Sequence, residues 1–350
     1  MSRWLLVGAA TVAASVAAAA VGLPSPALLA ALAVGLWYAL TAPHRPLEPP
    51  AWSLKAAQML LGVTIGAQLQ ASTPQEILGN WAPIAFVSVA TIAVSIVAGL
   101  SLSHLTGLDR PTALLGMIAG GAEGIVAMAD ELGTDARLVA FMQYLRVLIV
   151  VVAAPLLVQL LHHPSPEPRA TLAAPTASAS LGTDLAFTIS CCAAGAFIAR
   201  RLAFPASTLL APLVLAAALS ITGLTDGARP PYALQQVTFA TIGLQVGLRF
   251  TTAAIRRAAR LLPALVATIA AILATCAGLG VILSVLTGEA LSDTYLATTP
   301  GGLAAVLAVV LADGGNATFV LAVQTLRLIA MLLVARPILR TLGTRRRPRR

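Results

Sequence analysis

Two short constellations carry rare polar residues inside apolar sequence. Gln143-x-x-Arg146 stands within AFMQYLRVLIV and Gln324-x-x-Arg327 within LAVQTLRLIAM. Residues three apart share one helical face, so each pair sets an amide and a guanidinium side by side. A guanidinium in apolar surroundings has two uses that the sequence leaves open. It satisfies backbone carbonyls or a carboxylate, or it binds an anion that its planar fork suits. Two further stretches belong with these pairs: Gly120-Gly121 followed by Glu123, and Thr299-Pro300-Gly301-Gly302. Adjacent glycines weaken a helix, and proline removes a donor and pushes the preceding residue out of helical geometry. Unwound backbone at membrane depth survives only where protein buries it or where it lines a wet cavity. The expected substrate-binding set is therefore Gly120, Gly121, Glu123, Gln143, Arg146, Pro300, Gly301, Gly302, Gln324 and Arg327. Close helix packing through small residues is the competing structural reading. Glu123 costs about 2.5–3.5 kcal/mol at the bilayer centre, so a partner or a function is expected for it. One carboxylate for two arginines predicts unequal roles, with Arg327 paired to Glu123 and Arg146 free.

The elements that position these residues occur twice. A shift of 181 residues, without a gap, carries Gly120-Gly121 onto Gly301-Gly302, Gly133 onto Gly314, and Gln143-x-x-Arg146 onto Gln324-x-x-Arg327. The same shift relates Pro24 to Pro205, Pro49-Pro50 to Pro230-Pro231, and the Gly62-x-x-x-Gly66 seam to Gly243-x-x-x-Gly247. Matches among such infrequent residues at one offset are the mark of duplication. The chain reads as copy one over 1–161, a Pro/Ala/Ser-rich linker over 162–180, copy two over 181–340, and a basic tail over 341–350. Gln68 and Gln245, beside the glycine seams, could line a cavity or form core hydrogen bonds.

Composition sets the class. Of 350 residues, 58% are apolar and 10% charged, with mean hydropathy +0.90, which excludes a soluble globular domain. Continuous apolar runs near helix-spanning length give an all-α polytopic membrane protein; a barrel would alternate apolar and polar residues. Cys191, Cys192 and Cys276 lie within apolar runs and carry no disulfide or metal-ligand spacing. The net charge of +9 owes much to seven arginines from Arg336 onward, among 22 basic residues in all. A basic tail after an apolar helix sets orientation and meets anionic lipid rather than nucleic acid. The N-terminal run imitates a signal peptide, but Trp4 to Leu23 aligns with Leu185 to Phe204, so it is expected to stay as the first helix.

Apolar segments fall at about 5–23, 26–42, 51–70, 82–104, 112–130 and 138–161 in copy one. In copy two they fall at about 182–199, 206–223, 231–248, 262–286, 293–312 and 317–339. Twelve crossings would strand Arg137, Arg200, Arg201, Arg249, Arg256, Arg257 and Arg260 outside. If the fifth segment of each copy instead enters and leaves on one side, these all become cytoplasmic and only Arg169 and Arg229 stay out. Five crossings per copy is an odd number, so copy two is expected upside down relative to copy one. This is an inverted repeat with one broken or re-entrant segment in each half, and with both termini cytoplasmic.

The duplicated GG…G-x-D/N…Q-x-x-[LF]-R blocks resemble the AbrB membrane-protein family of bacteria, over essentially the whole chain. Members of that family are labelled regulators or ammonia monooxygenases, and the family resembles inverted-repeat transporters of the bacterial inner membrane. Ala119 departs from the proline expected before the first glycine pair, and Ala304 from the acidic residue expected in copy two. An oxygenase needs metal ligands, yet His44, His104, His162 and His163 lie at membrane edges or in the linker, so no enzyme, metal or cofactor is expected. No soluble stretch is long enough to hold a DNA-binding module. The leading expectation is a secondary transporter or exporter of a small solute, with an anion as one candidate and proton or sodium as coupling ion. The alternative is a membrane sensor acting indirectly on gene expression. Self-association is left open.

Overall fold

The computed structural model describes residues 2–23, 25–42, 47–68, 79–118, 125–126, 128–129, 132–161, 180–201, 207–222, 227–250 and 252–342. Among them every regular element is a helix. Copy one supplies α1 (Ser2–Ala20), α2 (Pro26–Thr41), α3 (Ala51–Gly66), α4 (Trp81–Thr106), α5 (Arg110–Met117) and α6 (Ala136–Leu161). Copy two supplies α7 (Leu181–Arg201), α8 (Ser207–Ile221), α9 (Tyr232–Leu248), α10 (Thr252–Ala258), α11 (Leu262–Thr287), α12 (Leu291–Thr298), α13 (Leu303–Ala312) and α14 (Ala317–Leu342). The 181-residue offset holds at both ends of the pairs α4/α11, α5/α12 and α6/α14. Helices α10 and α13 have no counterpart among the described elements of copy one.

Among the described residues, five stretches are long and apolar enough to cross a membrane: Arg3–Ala20, Trp81–Thr106, Ala136–Gln159, Leu181–Arg201 and Leu262–Thr287. The 26-residue helices α4 and α11 run about 39 Å at 1.5 Å per residue, beyond a hydrocarbon core of about 30 Å. Helices α2, α3, α8 and α9 have 15–17 residues, fewer than the about 20 of a typical helical crossing. The four tryptophans, Trp4, Trp37, Trp52 and Trp81, are exposed close to helix ends, where an amphipathic ring meets the membrane–water boundary.

Packing divides the chain into two compact units, and these are not the two sequence copies. Unit 1 comprises Met1–Gly79, Val151–Arg249 and Ala304–Val320; unit 2 comprises Asn80–Val150, Phe250–Leu303 and Leu321–Arg350. Each unit takes corresponding parts of both copies, so 1–161 and 181–340 are repeats in sequence rather than separate bodies.

Unit 1 is built on two glycine seams, α3 against α8 and α9 against α2. A Cβ on Gly62 would overlap the carbonyl oxygen of Leu209, and one on Gly243 would overlap that of Leu28. Leu28 and Leu209 are themselves equivalent under the offset, as are Gly62 and Gly243. Gly66 against Leu213 and Gly247 against Leu32 repeat the exchange. The contacts are therefore reciprocal between copies, the pattern that a twofold relation generates. The seams confirm the packing reading of both Gly-x-x-x-Gly motifs. Val63, Phe187, Cys191, Ala216 and Ala228 form a buried apolar cluster beside the α3–α8 seam, which gives Cys191 a core role.

Gly62→Ala and Gly243→Ala should each lower stability by about 1–3 kcal/mol, because a methyl cannot fit against a fixed carbonyl. Gly8→Ala and Gly278→Ala, whose added Cβ would meet nothing within 4 Å, should be neutral or stabilising through helix propensity. Thermal unfolding of the purified protein in detergent separates the two classes.

Candidate functional site

The site lies in unit 2, where two eight-residue helices stop abruptly. Each is reached through the same corner. The long helix before it ends on a left-handed glycine, Gly107 (φ 71°) after α4 and Gly288 (φ 75°) after α11, a conformation that glycine adopts without strain. Ser103 Oγ donates to the Leu108 carbonyl at 2.7 Å, and Ser284 Oγ donates to that of Glu289 at 2.7 Å. The α5 start adds its own cap, with an Asp109 carboxylate oxygen accepting from the Thr112 N–H at 3.0 Å.

At about 12 Å in length, α5 and α12 are less than half as long as a hydrocarbon core of about 30 Å is thick. The next residue turns extended in both: Ile118 (φ −64°, ψ 126°) and Thr299 (φ −61°, ψ 129°). Proline follows only in copy two, where Pro300 explains the extended Thr299. Copy one breaks at the equivalent residue with alanine next in sequence, so proline is not what both breaks share. What they share is a clamp on the freed carbonyls.

In copy one, Gln143 Nε2 donates to the carbonyls of Leu115 (2.6 Å) and Ile118 (2.9 Å). Arg146 Nη1 donates to Met117 (3.0 Å) and Nη2 to Gln143 Oε1 (2.6 Å). In copy two, Gln324 Nε2 donates to Leu296 (2.9 Å) and Thr299 (3.1 Å). Arg327 Nη1 donates to Thr298 (2.9 Å), and Nη2 to Thr299 (3.1 Å) and to Gln324 Oε1. Leu115, Met117 and Ile118 become Leu296, Thr298 and Thr299 under the offset, so all four copy-one bonds recur in copy two, which adds the bond from Arg327 Nη2 to Thr299. Each guanidinium also sits at the negative end of a helix dipole. Both arginines are 3% exposed, and Gln143 and Gln324 are 0% and 3% exposed.

Of the two uses left open for the arginines, the carbonyl-holding one is therefore present in both copies. The expected asymmetry does not appear in these bonds, because Arg327 is held by carbonyls as Arg146 is. Pairing of Arg327 with Glu123 falls on Glu123, which with Gly120 and Gly121 lies outside the described residues. Pro300, Gly301 and Gly302 form the break between α12 and α13. The Gly301 N–H donates to the Thr299 carbonyl at 2.9 Å, and Gly302 lies beside Val147, the neighbour of Arg146. The arginine turn of copy one thus meets the break of copy two.

The structure adds residues that the motifs did not single out. Thr298 Oγ1 donates to the Cys276 carbonyl at 2.8 Å, tying α12 to α11, and Thr299 Oγ1 donates to Tyr295 at 2.7 Å. A pair of threonines before Pro-Gly-Gly in an apolar run was the available signal. Gln245, like Gln68 at the end of its own seam, makes no contribution to the clamp.

Arg146→Met and Arg327→Met should destabilise the protein to a similar degree, by about 1–3 kcal/mol for each buried carbonyl left unsatisfied. Gln143→Leu and Gln324→Leu should act likewise. Pro300→Ala should change stability by only about 1 kcal/mol, since the copy-one break stands without proline. Chemical denaturation of the purified variants gives these values. A large difference between the two arginine variants would contradict the duplicated geometry.

A family model described as "Transition state regulatory protein AbrB" matches residues 27–343. The chain is 32% identical over 327 residues to the Escherichia coli (strain K12) protein named "Putative regulator AbrB", spanning 93% of this chain and 92% of the relative. It is 26% identical over 302 residues to "Uncharacterized protein YhjN" of Bacillus subtilis (strain 168), spanning 83% and 78%. The match runs through both clamps and nearly the whole length, and the chain belongs to the AbrB family of membrane proteins.

Proposed function

We propose that this protein is a secondary transporter or exporter of a small solute in the bacterial cytoplasmic membrane, working without chemistry on the solute. The observation that carries this reading is the duplicated break, two short helices ending inside unit 2 with their carbonyls held by Gln-x-x-Arg. Broken helices of this kind leave backbone groups and helix ends near the midplane, where transporters bind substrates and coupling ions. The binding set is Gly120, Gly121, Glu123, Gln143, Arg146, Pro300, Gly301, Gly302, Gln324 and Arg327, with proton or sodium as coupling ion.

The copies are inverted in this reading. Reciprocal seams in unit 1 and the positive-inside distribution of arginines both support it. Both termini are then cytoplasmic. The word "regulator" in the name of the Escherichia coli relative favours a second reading, a membrane sensor whose effect on gene expression is indirect. Transport separates the two. Purified protein in sealed vesicles should carry at least one small solute, driven by a proton or sodium gradient; binding without flux across a metabolite panel favours the sensor.

Inversion has its own test. Leu108 and Glu289 occupy equivalent corners, so single cysteines there, with Cys191, Cys192 and Cys276 changed to alanine, should label from opposite sides: Leu108→Cys from the cytoplasm and Glu289→Cys from outside. Labelling of both from one side would rule out the inverted arrangement.

A further inference from the structure

We infer that Arg146 and Arg327 together form a buried site for one small monovalent carboxylate. The inference gives the transporter reading its substrate class, and rests on that reading for the purpose of the site and not for its chemistry.

The two guanidiniums are both 3% exposed and lie in one packed unit. One contact there brings their surroundings together. Val147, next to Arg146, lies 3.6 Å from where a Cβ on Gly302 would sit, just past the α12 break that Arg327 clamps. Two like charges buried in one apolar unit require compensation. The carbonyl ends of α5 and α12 supply roughly half a negative charge each. About one positive charge is left over, which a monoanion neutralises and a neutral solute does not.

The donors agree with the charge. The Nη atoms already serve carbonyls and the glutamine amides, but Nε of Arg146 and Nε of Arg327 are buried without a hydrogen-bond partner. A buried N–H left unmade is costly. A carboxylate offers two oxygens with about four lone-pair sites, enough to accept from both arginines at once. The carbonyl clamp and the anion site are then two edges of the same guanidinium: one holds the break, and the other faces the solute.

The test uses full-length protein purified in detergent, with acetate as probe and acetamide as its neutral isostere, read by calorimetry and thermal shift. Acetate should bind saturably and acetamide at least ten-fold more weakly. Arg146→Lys and Arg327→Lys keep the charge and one donor nitrogen for the clamp but lose the Nε–H, so acetate should bind at least ten-fold more weakly in the variants that fold, with a somewhat lower unliganded melting temperature from the lost fork geometry. Where a lysine variant does not fold, the acetate–acetamide comparison on the unaltered protein decides. Equal binding of the two probes, or undiminished acetate binding in folded lysine variants, overturns the inference. So does acetate binding that appears only in Glu123→Gln, which would assign the site to the chain's own carboxylate. Acetate binding with no monocarboxylate flux in vesicles removes the transporter reading and keeps the site; flux without acetate binding does the reverse.

Discussion

Everything in unit 2 depends on how unpaired carbonyls are satisfied away from water. A helix that stops inside a membrane leaves its last C=O groups without an intrahelical partner, and hydrocarbon offers none. Here the answer is a side chain from another helix, set by Gln and Arg three residues apart. The glutamine amide reaches one carbonyl at the helix end and another one turn back, and the guanidinium takes a carbonyl between them. The arginine is in turn fixed by the glutamine oxygen, so the amide orients the charge that the helix end attracts. Removing any member leaves the others holding an unfilled bond.

Unit 1 solves a different problem with the opposite chemistry. Its seams bring backbones close by omitting Cβ at Gly62, Gly66, Gly243 and Gly247. Apolar lipid gives little hydrophobic drive for helices to associate, so close dispersion contact has to hold them. One unit is thus held by shape and the other by hydrogen bonds that tolerate interruption of the helix.

The duplication, the helices and the clamp residues were legible because they rest on rare residues at fixed spacing. Arginine inside an apolar run is costly enough to announce itself, and Gln-x-x-Arg at one offset cannot be chance composition. Its partner was not legible, since every residue has a carbonyl and the sequence does not mark which ones a break exposes. The glycine pairs drew attention as the breaking points, yet in copy two the extended residue is Thr299, ahead of Gly301, and in copy one it is Ile118, ahead of Gly120. The division into units was equally hidden. Periodicity reports which face of a helix is apolar and not which distant helix covers it, so the repeat boundaries do not mark the packing units.

The reciprocal seams have a consequence for how the chain is made. Leu28 and Leu32 of α2 wait for Gly243 and Gly247, and Gly62 of α3 waits for Leu209 of α8. A ribosome releases the first copy long before those partners exist. The early helices therefore enter the bilayer with half of each seam missing, and unit 1 closes only when the second copy arrives. Translation order and assembly order are uncoupled in this protein, and a chain cut at the linker would need its other half supplied in the same membrane to close at all.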